Sequence, residues 1–309
     1  MGGFLAALPG SVAQGIIWGV MAIGVYITFR VLDIADLTVD GTMSTGGAVT
    51  VLIMSHYANM QNSIWMIWIA MIASFIAGCI AGWVTGVFHT KFGIPAILAG
   101  ILTQLSLYSV NLRVLGGKAN QPLSARNYNL VFQLGDVTKS LIFGVVFVAL
   151  IIGILYWFFG TELGHAIRAT GNNEAMSRSN GINTNRNKVI GLVLSNGIVA
   201  LSGSMLSQFQ GFADVNMGRG AIVIGLAAVI IGEVIFGKLF KNFALRLLAV
   251  TIGGVIYYIV ITLVLRLGLQ ANDLKLFTAL VVALFLGVPY WKSKIASKSV
   301  KVKEVPDNA

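Results

Sequence analysis

Charge is what this chain has least of: only 10% of its residues are Asp, Glu, Lys or Arg, where soluble domains carry about a quarter. Cysteine is almost missing. The single Cys79 lies inside an apolar run, so no disulfide framework can form within the chain, and a lone buried thiol is a small core residue. No basic region precedes the apolar part of "MGGFLAALPGSVAQG", and no cleavable secretory signal is expected. His56, His89 and His165 sit in different segments, without metal-ligand spacing. "GEVIFGKL" (232–239) approaches a phosphate-binding loop but ends in Leu239, so the hydroxyl that would ligate magnesium is missing. There is no nucleophile elbow. The chain does not read as an enzyme.

Apolar length is what it has most of. Hydrophobic residues make up 57% of the 309, the mean hydropathy is +0.85, and long apolar runs recur from end to end. Since about 20 residues cross a bilayer's hydrocarbon core, the runs predict spans near 11–29, 63–88, 94–113, 140–159, 187–208, 220–237, 246–266 and 273–290. Residues 44–58 are expected to form a half-length or tilted helix. The class is therefore an all-α polytopic membrane protein with about nine transmembrane segments, within a range of about eight to ten. Ser74, Gly78, Gly82 and Gly86 recur every four residues, which puts small residues on one helix face and permits close packing.

The net charge of +10 does not call for nucleic acid, because membrane proteins collect Lys and Arg in cytoplasmic loops. Arg168, Arg178 and Arg186 fall in 160–186, Lys238, Lys241 and Arg246 in 238–246, and five lysines in the tail after Tyr290. These three segments are expected inside. The N-terminus is then expected outside, as is 114–139, although Lys118, Arg126 and Lys139 argue against the latter. The membrane-spanning part would cover 1–290 and a basic cytoplasmic tail 291–309.

"GTMSTGGAVTVLIM" (41–54) resembles "DVNMGRGAIVIGLA" (214–227), each glycine-rich with an aspartate nearby, Asp40 and Asp214. In the span scheme the copies have opposite orientations. Inverted repeats with one or two helices broken near the midplane are typical of transporters.

The most unusual stretch is "RVLDIADLTVDGTMSTGG" (30–47). One Asp at the centre of a lipid-facing helix costs about 2.5–3.5 kcal/mol. Asp33, Asp36 and Asp40 therefore cannot all face lipid at depth. The segment is either a surface loop, in which Arg30 pairs with Asp33 or Asp36, or irregular backbone lining a cavity. In the second case Thr38, Thr42, Ser44 and Thr45 can satisfy the freed backbone groups. The candidate pathway or gate residues are Arg30, Asp33, Asp36, Asp40, Thr42, Ser44, Asp214 and Asn216.

"GTELGHAIRATGNNEAMSRSNGINTNRNK" (160–188) is polar but patterned. Asn172 or Asn173 can cap a helix with Glu174 in its first turn, and Gly181 is placed to end it. A short capped helix between two spans is a docking element. This segment closely resembles the coupling segment of permease subunits of the branched-chain amino acid and ribose type of ABC importer, whose pattern is met by Leu163, Gly164, Ala166, Arg168, Ala169, Gly171, Asn173, Gly181 and Ile182. "LDIADLTVDGTMSTGGAV" and "GIPAILAGILTQLSLYSVNLRVLGG" are similar to a subgroup paired with substrate-binding lipoproteins of the tryptophan/tyrosine-importer kind. The resemblance spans residues 8–290. Many such relatives have an additional N-terminal span, whose lack here fits an N-terminus outside.

What the resemblance implies is a type II-like importer permease in a bacterial cytoplasmic membrane. It would act as a homodimer or one of a related pair, with two ATP-binding cassette ATPase subunits below and a lipoprotein delivering a small solute from outside. The solute would pass by alternating access. No cofactor belongs to this chain, since ATP-Mg would sit on the ATPase. Contacts to the ATPase are expected from Glu162, Gly164, His165, Arg168, Gly171, Asn172, Asn173, Glu174, Met176, Arg178 and Gly181. The alternative is an ion-coupled secondary transporter that uses Asp33, Asp36, Asp40 or Asp214 as proton or sodium sites. A receptor or scaffold is disfavoured by the small extramembrane mass.

Overall fold

The computed structural model describes residues 2–56, 64–125, 127–266, 276, 279, 280, 282–284 and 287. Ten helices are described. The first, α1 (Gly2–Tyr26), runs on through a π-turn at Ile27–Val31. It is followed by α2 (Thr38–His56), α3 (Ile64–Thr90), α4 (Ala96–Val114) and α5 (Val137–Phe159). Next come two short helices, α6 (Glu162–Asn172) and α7 (Glu174–Ser179), then α8 (Thr184–Gln210), α9 (Ala221–Phe236) and α10 (Phe243–Arg266). Two three-residue strands, β1 (Asn120–Pro122) and β2 (Phe212–Asp214), pair antiparallel.

Among the described residues, six stretches are helical, long and apolar enough to cross a membrane: Ala7–Val31, Trp65–Thr90, Ala96–Val114, Val137–Phe159, Thr184–Gln210 and Phe243–Leu265. The chain is an integral membrane protein. Apolar α9 is shorter, and α2 is long enough but rich in Thr, Ser and Gly. Most of the expected span 273–290 and all of the tail 291–309 lie outside the described residues.

One expectation needs correction. The helix foreseen as a short piece over 44–58 starts at Thr38 and has 19 residues. Its polar residues do not end it, because their hydroxyls fold back onto the helix: Thr42 on Thr38 O, Thr45 on Gly41 O and Thr50 on Gly46 O, at 2.8–3.0 Å. This is the i−4 back-bonding that lets Ser and Thr persist inside helices.

Helix α8 is the central post. It is buried almost without a break from Ser195 to Gln208, and small or polar residues recur through that run at Ser195, Asn196, Gly197, Ala200, Ser202, Gly203, Ser204 and Ser207, so neighbours approach it closely, as membrane helices do where no hydrophobic drive exists between them. Gly78 and Gly82 of α3 press on the Asn196 and Leu192 carbonyls, which gives the four-residue stripe its purpose. Gly46 of α2 meets the Ala200 carbonyl and Gly203 meets that of Met43. Ser195 and Ser202 donate to Gly24 O and Ile17 O of α1, each at 2.8 Å.

These pairings fix direction. Thr42 pairs with Asn196 and Thr50 with Ser204, so α2 runs parallel to α8, whereas α1 and α3 run antiparallel to it. Helix α9 follows α1: Gly225 packs on Met21 and Val25, and Glu233 pairs with Arg30. Most of the apolar core is one cluster through α1, α2, α8 and their neighbours, with a smaller one between α9 and α10 around Ile231 and Tyr257.

Candidate functional site

Asn196 lies twelve residues into α8, about 18 Å from its start at 1.5 Å per residue, close to its middle. Its amide Nδ2 donates to Asp36 Oδ2 at 2.7 Å, and its Oδ1 lies 2.7 Å from the Thr42 hydroxyl. Asp36 is 2% exposed, and its Oδ1 accepts from the Thr38 N–H at 2.9 Å. Residues 32–37 are therefore non-helical backbone drawn into the bundle to the depth where α2 starts. Such backbone is tolerated only when protein satisfies it. The other wall is a hydroxyl chain, with Thr38 Oγ1 2.8 Å from Thr85 and Thr85 Oγ1 2.9 Å from Thr103.

At the same depth a second helix begins. The carboxylate of Asp40 accepts from the Gly220 N–H at 2.7 Å and from the Ile222 N–H at 3.0 Å. Ser44 Oγ accepts from Gly218 N at 3.0 Å. Asp40 thus occupies the N-terminus of α9, where backbone donors lack partners and the helix dipole favours an anion. Gly220 adopts φ 86° as the residue before α9, a conformation that favours glycine. Two helices running in opposite directions so begin against one another in mid-bundle, with Asp36 at the start of α2 and Asp40 of α2 at the start of α9.

Beside this junction lies a cavity of about 290 Å³ lined by Asp40, Gln104, Tyr108, Asn111, Asn216 and Arg219 among others. Asn111 is fully buried and donates to Gly41 O at 3.3 Å. Its Oδ1 has no hydrogen-bond partner among the described residues.

Of the candidate pathway residues, Asp36 and Thr42 meet through Asn196, and Asp40, Ser44 and Asn216 gather around the start of α9. Asp214 is set apart: its Oδ1 accepts from Asn216 N at 2.7 Å in a tight turn. Asp33 is exposed with φ 55° and joins no cluster. Arg30 pairs with Glu233 and not with Asp33 or Asp36, its Nε lying 3.1 Å from Oε2. The reason is direction: the π-turn carries Arg30 past α9's C-terminal turn, while residues 32–37 turn back inward.

Asn196, Glu233, Asn111 and Arg219 were not among the candidates. A signal existed for the first three, since each is a polar residue within an apolar span. None existed for Arg219, which reads as an ordinary loop cation.

The segment 160–188 holds two helices. Helix α6 carries Glu162, Gly164, His165, Arg168, Gly171 and Asn172, and buries Gly164, Ile167 and Thr170. Asn173 separates it from α7, its Oδ1 accepting from Met176 N at 3.0 Å, so Asn173 is the cap and Asn172 is not. Helix α7 carries Glu174, Met176 and Arg178. Gly181 follows with φ 77°, and Ile182 N donates to Ser177 O at 3.0 Å, closing the helix end. A 2.8 Å bond from Lys188, reinforced by Arg178, holds the Glu174 carboxyl below the usual carboxylate range. Met176 is 63% exposed.

Gly171 has a distinct position. A Cβ there would run into the Val31 carbonyl and Leu32 Cα, so α6 sits directly against the end of the π-turn, where the non-helical residues that lead to Asp36 begin. Asn187 Nδ2 donates to Thr170 Oγ1 at 3.0 Å, tying α6 to α8 as well.

Residues 8–289 match the family of branched-chain amino acid transport system permease components. The chain belongs to this family. The permease is 38% identical over 293 residues to a tyrosine transport system permease protein of Clostridioides difficile, covering 95% of this chain and 94% of that one. It is 29% identical over 219 residues to the ribose import permease protein of Escherichia coli K12, with 69% and 64% covered. To an autoinducer 2 import system permease protein of Escherichia coli it is 26% identical over 194 residues, with 61% and 54% covered. No solved structure matches the permease.

Proposed function

We propose that the permease is the membrane channel of an ATP-driven importer for an amino acid, worked by alternating access. Two copies form the pathway, about nine spans each. ATPase subunits carrying ATP-Mg dock on α6 and α7 at the cytoplasmic face, where the C-terminal tail also lies, and a lipoprotein delivers substrate to the opposite face, which holds the N-terminus.

The observation that carries this reading is the seat of α6 on Val31 and Leu32 through Gly171. A push on α6 and α7 acts at once on the π-turn that precedes Asp36 and Asp40, and so on the place where α2 and α9 begin. The printed name of the tyrosine transport relative supports an amino acid. So does the lining of the 290 Å³ cavity, where Arg219 offers a cation and Tyr108 an aromatic ring. Coupling to ATP gives Asp36 and Asp40 a holding role, since both are engaged by protein donors.

The test is reconstitution. With the ATPase and lipoprotein in proteoliposomes, labelled amino acid should accumulate only when all three components and ATP are present. Accumulation driven by a proton or sodium gradient through the permease alone would make it a secondary carrier and overturn the proposal.

A further inference from the structure

A second cavity, of about 580 Å³, lies where the end of α5, the first turns of α6 and the start of α10 converge. Its wall holds three basic side chains, His165, Arg168 and Lys241, and no acidic residue among the described lining. The Arg168 guanidinium lies over the Phe243 ring, 5.4 Å from its centre, which holds it at the wall. Among the described residues neither Arg168 nor Lys241 forms an ion pair. The N-termini of α6 and α10 open at the same place, adding partial positive charge.

The apolar surroundings are as particular as the charge. Tyr156 and Trp157 line the cavity, and Trp157 is 72% exposed, as expected of aromatic residues at headgroup depth. From Trp157 an exposed stripe runs back along α5 through Ile154, Leu150, Val146 and Ile142. The spacing of three and four residues places them on one face. A cationic niche thus opens onto a continuous apolar track.

We propose that this cavity binds an anionic phospholipid from the leaflet on the α6 side. The phosphate is held between Arg168, Lys241 and His165, and an acyl chain lies along the α5 stripe. Guanidinium forks match phosphate oxygens, and basic niches between membrane helices bind acidic headgroups. Because Arg168 belongs to α6, lipid occupancy bears on the helix through which ATPase movement passes. The site requires only that the protein is embedded in a membrane and does not depend on the transport reading.

The experiment is native mass spectrometry of the detergent-solubilised permease with phosphatidylglycerol, phosphatidylcholine and soluble glycerol phosphate. The wild type should retain phosphatidylglycerol over phosphatidylcholine. Lys241→Gln should cut that retention by about fivefold and Lys241→Arg should restore it, with unchanged thermal midpoints because Lys241 is exposed. Glycerol phosphate should not displace the lipid, since it cannot use the apolar track. Equal retention of the two lipids, or no effect of Lys241→Gln, would overturn the proposal. Displacement by glycerol phosphate would make the niche a free-phosphate site. Loss of retention in the assembled complex with the ATPase would assign the niche to acidic side chains of that partner.

Discussion

Replacing Gly46 by valine should leave almost no folded permease in the membrane. A Cβ at this position would overlap the Ala200 carbonyl oxygen, and Ala200 belongs to the central post. No flexible side chain is available to move aside, so α2 and α8 must separate. Overpacking a core ordinarily costs about 1–3 kcal/mol. Here separation also breaks the Thr42 to Asn196 contact and the bond from Thr50 to Ser204, both 2.7 Å. With them goes the anchor of Asp36, leaving a buried carboxylate without its amide donor. Gly153 is the control, because a Cβ there meets nothing within 4 Å. Fluorescent-fusion abundance and thermal midpoint in detergent should fall to background for Gly46→Val and match the wild type for Gly153→Val. Equal behaviour of the two variants would contradict the close packing of α2 on α8.

The second large effect is at Asp40. Leucine there removes both acceptors that hold the start of α9 and strands the N–H groups of Gly220 and Ile222. Each stranded buried donor costs about 1–3 kcal/mol, so Asp40→Leu should abolish uptake and sharply lower membrane abundance. Asparagine keeps one acceptor of similar shape. Asp40→Asn should therefore retain most of its abundance and part of its uptake. Uptake and abundance measured together distinguish an anchor from a substrate-charge site, for which asparagine alone would abolish uptake at normal expression. Wild-type uptake with leucine would show that α9 needs no cap there.

The spans are legible in the sequence because the bilayer imposes both length and apolarity. Helices α3, α4, α5, α8, α9 and α10 therefore begin and end within a few residues of their apolar runs. The stripe from Ser74 to Gly86 is legible for a similar reason: only small residues admit a neighbour's backbone. The exclusion of three aspartates from lipid is legible as a cost, but their partners are not. Asp36 is satisfied by an amide 160 positions away and Asp40 by N–H groups 180 and 182 positions away. No local pattern encodes such pairings. Helix α6 was hidden because its buried face, Gly164, Ile167 and Thr170, has a single large apolar residue. The length of α2 was hidden because hydroxyls that usually signal a turn bond back within the helix.

The central claim is that α6 works the mid-bundle junction through Gly171. The most direct test compares uptake with ATP hydrolysis in the reconstituted complex carrying Gly171→Leu. The leucine must push α6 off Val31 while leaving α7 and its Asn173 cap in place. The account predicts an assembled complex that still hydrolyses ATP but moves at least about tenfold less substrate per ATP, equivalent to about 1.4 kcal/mol of lost coupling. Wild-type uptake per ATP hydrolysed in that variant would contradict it.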